Sequence, residues 1–594
     1  MIKKQTEIGE IISVSGSIIT VQLLDTVKSN MLVINGIVYK IGQIGSFLKV
    51  PLGYTNLYGI VTQIGASAIP ENFNIDKNNF IKLANQQFLN IVLIGEQTGR
   101  KFERGISQYP TIGDKVCLVT IHDLDIIYGG YDEKNSITVG NISLSTSLNA
   151  KLDLDKLISR HYAILGSTGS GKSNAVGVFL RAIADKDFKS SRILVIDPHG
   201  EYNSVLKEKS CVYKIRADAA RGEKELYIPF WALPFNELLH IFSGNLSDQN
   251  KEYFRIKIEE AKKKSAIHNK IPLQQELITA DTPVPFSINQ LWFDLDDFER
   301  QTYYERAKPE TITKKCVEGN PETLISNEYE PASAGGGKPY LNNSAKGILG
   351  FLDSIRLKLK DSTYHFLFNT DDYHPNLQGS VHKDLDSLLF EWLGGNKPIT
   401  ILDLSGIPSE VMASISGTLL KIIYDALFWG QNLKNGGREQ PLLIVLEEAH
   451  NYLKAGEHSI SSRTVQTIAK EGRKYGIGLA LITQRPSELD ETVLSQCGTI
   501  IALRMNNAKD RGFIRAAMQD ELQAMVDLLP SLRTGEGLIS GEGVKIPSRV
   551  QFYKLSDAPK SSDPKVSEKW MQPYDTELDD YDKLVSLWRN KRFH

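Results

Sequence analysis

The chain has 594 residues, with 69 lysines and arginines against 71 acids and a formal net charge of −2, so it is too long for a single core and too nearly neutral to coat nucleic acid over its whole surface. Two to four domains are expected, and any contact with DNA has to be local, such as a lined channel. Cys117, Cys211, Cys316 and Cys497 lie far apart with no CxxC spacing, which argues against structural zinc and a disulfide framework and fits a reducing cytoplasm. The N-terminus lacks a signal-peptide core, and no apolar run approaches the ~18 residues of a membrane span, so a soluble, cytoplasmic chain with no membrane partner is expected.

Residues 1 to about 150 read as an all-β domain. Short alternating runs such as Gly9-Glu-Ile-Ile-Ser-Val, Ser17-Ile-Ile-Thr-Val-Gln-Leu and Leu57-Tyr-Gly-Ile-Val-Thr-Gln-Ile are closely punctuated by Gly and Pro, the pattern of a small barrel or sandwich, and no convincing helical period appears. Residues 125–150, with Tyr128-Gly-Gly-Tyr131, read as the link to the next domain. From 151 to 555 strands alternate with helices. The strand candidates 161–165, 192–197, 399–404, 441–446, 477–483 and 498–504 are apolar on both faces, as a parallel sheet covered by helices requires. This predicts an α/β fold with a parallel sheet, and the phosphate-binding loop Gly166–Ser173 directly after the first of these strands makes it a RecA-like P-loop ATPase core.

Between about 235 and 395 the sheet pattern lapses into a mostly helical insertion. Residues 249–266, 286–305 and 344–360 are its helix candidates, and Pro331 to Lys338 is a flexible loop. The charged faces there read as solvated helix surfaces, with DNA contact as the other reading. Residues 556–594 form a C-terminal linker and tail, with a Pro/Ser-rich stretch at Ala558–Pro564 and a short aromatic helix from Tyr581 to Trp588.

The chemistry is carried first by Gly166-Ser167-Thr168-Gly169-Ser170-Gly171-Lys172-Ser173, a complete phosphate-binding loop between an apolar strand and a segment, from Asn174 to Ala184, with Val176, Phe179, Leu180 and Ile183 at helical spacing. The glycines let the backbone wrap phosphates, with successive N–H groups pointing inward at a helix N-terminus. Lys172 is expected to reach the β- and γ-phosphates, Ser173 to take a position on Mg²⁺, and Asn174 to complete the ATP-contacting stretch.

Hydrolysis also needs acids. Leu442-Leu-Ile-Val-Leu446 ends in Glu447-Glu448-Ala-His450, placing Glu447 for Mg²⁺ and Glu448 to polarise the attacking water; the alternative is an acidic start to a helix. Gln484, ending the strand Leu479-Ala-Leu-Ile-Thr, is placed to sense the γ-phosphate, or else is a surface amide in the turn before Pro486. Arg473, at a helix end before that strand, has two readings: an arginine reaching a neighbouring subunit's ATP, or a basic residue complementing the helix dipole. Asp197-Pro-His199-Gly-Glu201-Tyr202 ends the strand after the P-loop helix. Ligand sites gather at such strand ends, so Asp197, His199 and Glu201 are expected to border the nucleotide or couple it to a ring.

Taken together, these motifs resemble the HerA branch of the HerA/FtsK ring-translocase family, in the family's order and over about residues 5–555. The C-terminal Gly535-Glu-Gly537 and Pro547-Ser-Arg549 fit the same pattern, the β-rich N-terminus is similar to its barrel domain and the insertion to its helical bundle. The resemblance implies a homohexameric ring that moves double-stranded DNA through a central channel using ATP and Mg²⁺. It implies Lys172 and Ser173 as phosphate and Mg²⁺ ligands, Glu447 and Glu448 as the acidic pair, Gln484 as sensor, Arg473 as an arginine in trans and Arg160 as a second inter-subunit contact in the ATP site. The acidic pair departs from the usual Asp-Glu of the family, which alters the reach of the first carboxylate. Archaeal relatives work with a nuclease in DNA-end processing, and bacterial ones with a nuclease or sirtuin-like NADase in anti-phage defence. This chain carries no such motif, so a separate effector protein is implied. Two alternatives to a translocase or helicase motor are an ATP-dependent scaffold that assembles and activates its partner, and a conjugation or secretion ATPase.

Overall fold

The computed structural model describes residues 6–24, 31–34, 37–40, 42–65, 87–143, 145–186, 188–206, 208–242, 246–305, 308, 310–335, 337–456, 459–518, 520–556, 566–571 and 578–589. The linker expected at 558–564 lies outside them. The chain divides into two compact units, one made of residues 1–210, 430–457 and 465–563, the other of 211–429, 458–464 and 564–594. Among the described residues, no helix is long and apolar enough to cross a membrane.

The alternation at the start of the first unit closes into a barrel. Its strands are β1 (Glu7–Ser15), β2 (Ile18–Leu23), a separate hairpin of β3 (Met31–Ile34) and β4 (Ile37–Lys40), β5 (Phe47–Leu52), β6 (Thr55–Ile64), β7 (Phe88–Thr98), β8 (Lys101–Arg104) and β9 (Lys115–Leu118). Six of them run in the order β2-β1-β9-β5-β6-β7, and β2 pairs with β7 from Ile18↔Val92 to Gln22↔Phe88, which leaves the barrel no open edge. Every second residue points inward, so Ile8, Ile19, Val21, Val50, Leu57, Val61, Ile91 and Val116 fill the interior.

The expected link at 125–150 is replaced by regular structure. Helix α1 (Ile121–Gly129) is started by a reciprocal cap in which Thr120 and Asp123 each bond the other's backbone N–H, a signal that outweighs its weak apolar period. Strands β10 (Ser136–Ile142) and β11 (Ser145–Asp153) then form a hairpin belonging to the ATPase sheet. Next come α2 (Leu154–Ser159), β12 (Tyr162–Leu165), α3 (Lys172–Ala184) and β13 (Arg192–Asp197).

The second unit holds β14 (Ser210–Lys214, whose first residue belongs to the first unit), β15 (Lys224–Glu225), α4 (Phe235–Phe242), α5 (Asp248–His268), α6 (Ile288–Arg300), four short strands β16 (Thr302–Tyr303), β17 (Lys315–Val317), β18 (Glu328–Tyr329) and β19 (Tyr340–Leu341), then α7 (Leu349–Lys360), α8 (His365–Phe368), α9 (Leu385–Leu393), β20 (Ile399–Asp403) and α10 (Met412–Trp429). This unit buries Trp231, Trp292 and Trp392. Indole N–H groups cannot be buried unpaired: Trp231 donates to the Tyr373 carbonyl at 3.1 Å and Trp292 to that of Leu352 at 3.0 Å.

The first unit resumes with β21 (Leu442–Leu446), α11 (Ile460–Glu471, whose first residues belong to the second unit), β22 (Ile477–Thr483), α12 (Glu491–Ser495), β23 (Thr499–Leu503), α13 (Ala508–Ala517), β24 (Glu536–Gly541) and β25 (Ser548–Phe552). Within this unit the sheet order is β11-β10-β25-β24-β23-β12-β22-β21-β13. The run β23-β12-β22-β21-β13 is parallel, and its strands are buried on both faces as their unbroken apolar sequence requires. The antiparallel extension β24, β25 and β10 has no counterpart in the sequence-based reading. The short helices α14 (Val566–Trp570) and α15 (Leu578–Arg589) follow, the latter covering the expected tail helix.

Candidate active site

Parallel strands deliver their carboxyl ends to one edge of the sheet, and there the P-loop from β12 meets Glu447 and Glu448 after β21, Gln484 after β22 and Glu201 after β13. The loop is suited to an anion. Gly171, at φ 93°, caps α3 with no side chain of its own, leaving the first-turn N–H groups to a ligand. A Cβ at Gly171 would stand 2.8 Å from the Gly535 nitrogen, so two glycine backbones pass in contact, and the Gly535 N–H donates to the Ser170 carbonyl at 2.8 Å. The Ser167 N–H and hydroxyl both donate to the Arg504 carbonyl, at 3.1 and 2.9 Å, while the Arg504 guanidinium donates to the Gly169 carbonyl at 3.0 Å. Gly166 leaves room for the Ser170 hydroxyl, which is buried without a partner among the described residues.

Lys172 is buried between the two acids. Its Nζ donates to Glu448 Oε1 at 2.7 Å and lies 3.2 Å from Glu447 Oε1. Burial alone would lower the lysine pKa, but the two carboxylates hold it above its ordinary value. Glu447 is the more enclosed acid: burial pushes its carboxyl up to about 7 against the pull of Lys172, and the Tyr202 hydroxyl donates to Oε2 at 3.0 Å. For Glu448, burial works in the same direction but is overcome by Lys172 and by the Gln484 amide, which donates to Oε1 at 2.6 Å, so its carboxyl lies below the ordinary value. Glu448 also adopts the left-handed conformation at φ 47°, a strain of roughly 1–3 kcal/mol for a residue with a Cβ. His450 lies 3.3 Å from Glu448 Oε2 and 2.9 Å from the Thr483 hydroxyl. The Thr168 hydroxyl bonds Gln484 Oε1, so the P-loop, the amide and Glu448 form one connected chain.

Several expected placements change. Asp197 is taken up by its own turn: its fully buried carboxylate accepts the N–H groups of His199, Gly200 and Tyr202 at 3.1, 2.9 and 3.2 Å. Holding that turn, it delivers Glu201 to the loop, where Glu201 Oε2 accepts from the Ser173 hydroxyl at 2.7 Å. The expected partner of Ser173 around Mg²⁺ was Glu447, which instead sits behind Lys172 and against Tyr202. The side chain of Asn174 is engaged by backbone, donating to the Tyr553 carbonyl at 2.8 Å and accepting the Leu555 N–H at 3.0 Å, so only its own N–H is left to a phosphate.

Arg473 and Arg160 precede β22 and β12, at the opposite edge of the sheet from the P-loop. The 7 residues of β22 separate Arg473 from Gln484 by about 23 Å, beyond the reach of any side chain. Arg473 is exposed beside a cavity of about 540 Å³ shared with Ile158, Arg192 and Arg438, and Arg160 lies 3.5 Å from Glu542. Neither arginine can serve its own chain's site. Residues not singled out from sequence are Arg504, Tyr202 and, as the partner of Ser173, Glu201. The first was findable, because it follows an apolar strand at the ligand-bearing edge.

This loop, acidic pair and amide on a parallel sheet define a RecA-like P-loop ATPase. Two family descriptions match the chain: "Helicase HerA, central domain" over residues 137–423 and "Helicase HerA-like C-terminal" over 399–573. The DNA double-strand break repair helicase HerA of Pyrococcus furiosus is 25% identical over 460 residues, covering 73% of this chain and 72% of that protein. Its namesake from Sulfolobus acidocaldarius is 25% identical over 480 residues, covering 81% and 80%. Among solved structures, VirB4 of Thermoanaerobacter pseudethanolicus superposes with a TM-score of 0.45 at 16% identity, over 73% of this chain and 99% of that one. The chain belongs to the HerA/FtsK family of P-loop ATPases.

Proposed function

We propose that this ATPase is the motor subunit of a homohexameric ring that, in the cytoplasm, moves along or unwinds double-stranded DNA, working with a separate effector, a nuclease or sirtuin-like NADase, in anti-phage defence or DNA-end processing. The observation that carries the ring is the division of the site. Lys172, Glu448 and Gln484 converge at one edge of the sheet while Arg473, exposed, and Arg160, half-buried beside Glu542, stand at the other, the arrangement expected when each nucleotide is completed by a neighbour. The relatives named DNA double-strand break repair helicases support DNA as the track.

Mg²⁺ fits the oxygen donors beside the loop. Ser173 and Glu201 would hold it, with Glu447 behind them, since this ion needs only one or two protein ligands beside the phosphates. Bound there, it would neutralise charge on the β- and γ-phosphates. Lys172 would leave Glu448 for the phosphates, freeing that carboxylate to orient water, and Gln484 would report the exchange to β22.

A native mass measurement, with DNA-stimulated hydrolysis and strand displacement, tests this reading. A hexamer whose ATPase rises with duplex DNA is expected, and Lys172→Ala should abolish both hydrolysis and tight nucleotide binding. A monomer indifferent to DNA overturns it. A second reading, a scaffold that activates its partner with little translocation, is favoured by the net charge of −2 and predicts partner activation that needs assembly but survives Glu448→Gln.

A further inference from the structure

We propose that Tyr553 is the platform on which the base of bound ATP stacks, an inference that rests on the ATPase reading of the P-loop. The direction of the nucleotide follows from the sheet. Glu448 and Gln484 follow β21 and β22, on one flank of β12, so the γ-phosphate lies on that side of the loop. The α-phosphate, ribose and base must then run toward the other flank, where β23, β24 and β25 follow in order. The registers bring the start of β24 and the end of β25 to the P-loop edge: Leu503 pairs with Gly537, and Glu536 with Gln551.

The chain leaving β25 is fixed there as a wall. Asn174, two residues after Lys172 in the first turn of α3, grips the backbone on both sides of Lys554 through the Tyr553 carbonyl and the Leu555 N–H. The Tyr553 N–H donates to the Val139 carbonyl at 3.1 Å. Strand alternation turns Phe552 inward, where it meets Phe179 at 5.9 Å between ring centroids, and turns Tyr553 outward. Tyr553 as a residue is 42% exposed, and its hydroxyl donates to Asn149 Oδ1 at 3.4 Å. Its backbone is held twice and its ring end once, while the residue keeps much of its surface exposed. A rigid aromatic face beside the first turn of a P-loop helix suits a planar heterocycle.

Titration calorimetry with Mg²⁺–ATP and with Mg²⁺–tripolyphosphate, which has the phosphates and no base, separates the contributions. Tyr553→Ala should weaken ATP about tenfold or more, the scale of base–aromatic stacking, and leave tripolyphosphate unchanged. Tyr553→Phe should retain ATP affinity, because the ring rather than the hydroxyl makes the contact. Equal weakening of both ligands by Tyr553→Ala, or no weakening of ATP, overturns the proposal. Failure of the underlying reading is distinct: Lys172→Ala would then bind tripolyphosphate as tightly as the unaltered protein.

Discussion

Gln484 donates from Nε2 to Glu448 Oε1 at 2.6 Å while its amide oxygen accepts from the Thr168 hydroxyl, so one neutral side chain ties the P-loop to the acid beside Lys172. A γ-phosphate entering between the loop and Glu448 competes for the same donors. Gln484 directly follows the last residue of a fully buried strand, which makes β22 the first rigid element to register that exchange.

Glu448→Gln keeps the shape of the side chain and its place beside Gln484 but removes the carboxylate that orients water. Turnover should fall by about 100-fold or more with ATP binding retained. Steady-state hydrolysis alongside equilibrium binding checks it. If Glu447→Gln proves the hydrolysis-specific lesion and Glu448→Gln the one that loses Mg²⁺–ATP, the two roles are exchanged.

Glu447 supplies a pH-dependent prediction. Its folded-state pKa of about 7 stands above the ordinary 4.5, so between those values the folded chain holds a proton that the unfolded chain has lost. Its contribution to stability therefore falls as pH rises through that window and stays low above it. Glu447→Gln avoids the buried charge, so it should raise Tm relative to the unaltered protein at pH 8 and by less at pH 5. Thermal melts of the nucleotide-free protein at the two pH values decide the matter; an equal gain at both removes the raised pKa from the account.

Arg473 lies too far from Gln484 to act within its own chain, and only a trans role leaves it in catalysis. Arg473→Ala should bind ATP normally yet hydrolyse it about 1,000-fold more slowly, the scale of an arginine contributed across an interface. Co-expression with Glu448→Gln subunits, followed by isolation of doubly tagged rings, should restore part of the activity, since some interfaces then pair an intact Glu448 with an intact Arg473. Verified mixed rings with no recovery would leave Arg473 as a helix-end residue complementing the dipole.

Glu536 is buried and takes Arg549 in a two-point contact, Nε to Oε1 at 2.8 Å and NH2 to Oε2 at 3.1 Å, beside the Gly535 that touches the P-loop. Burial would raise its pKa, but Arg549 and further donors, among them Arg533, hold it down to about 2. The stabilisation from Glu536 is therefore complete above its ordinary pKa and is lost as pH falls toward 2. Arg549→Met leaves a buried carboxylate short of its main partner and should cost about 3–5 kcal/mol in urea unfolding at pH 7, with weaker ATP binding as Gly535 loosens. A change below about 1 kcal/mol would show Arg533 sufficient alone.

The sequence by itself determined the features written in short-range pattern. The P-loop is eight consecutive residues, the parallel strands are unbroken apolar runs, and the barrel follows from alternation punctuated by turns; each depends on neighbours within a few positions. Even α1 was local, although its signal lay in the Thr120–Asp123 cap rather than in apolar period. What only the tertiary structure decided are pairings between distant groups of similar type. Lys172 and Glu448 are 276 positions apart, and no spacing rule separates Glu448 from Glu447 or from Glu201 as the partner of a given cation or hydroxyl. That choice is made by burial, which differs between adjacent carboxylates because one turns toward Tyr202 inside the sheet and the other toward Gln484 at its edge. Asp197 shows the same limit. A carboxylate at a ligand-bearing strand end reads as a binding group until three amide N–H groups of its own turn are found to occupy it.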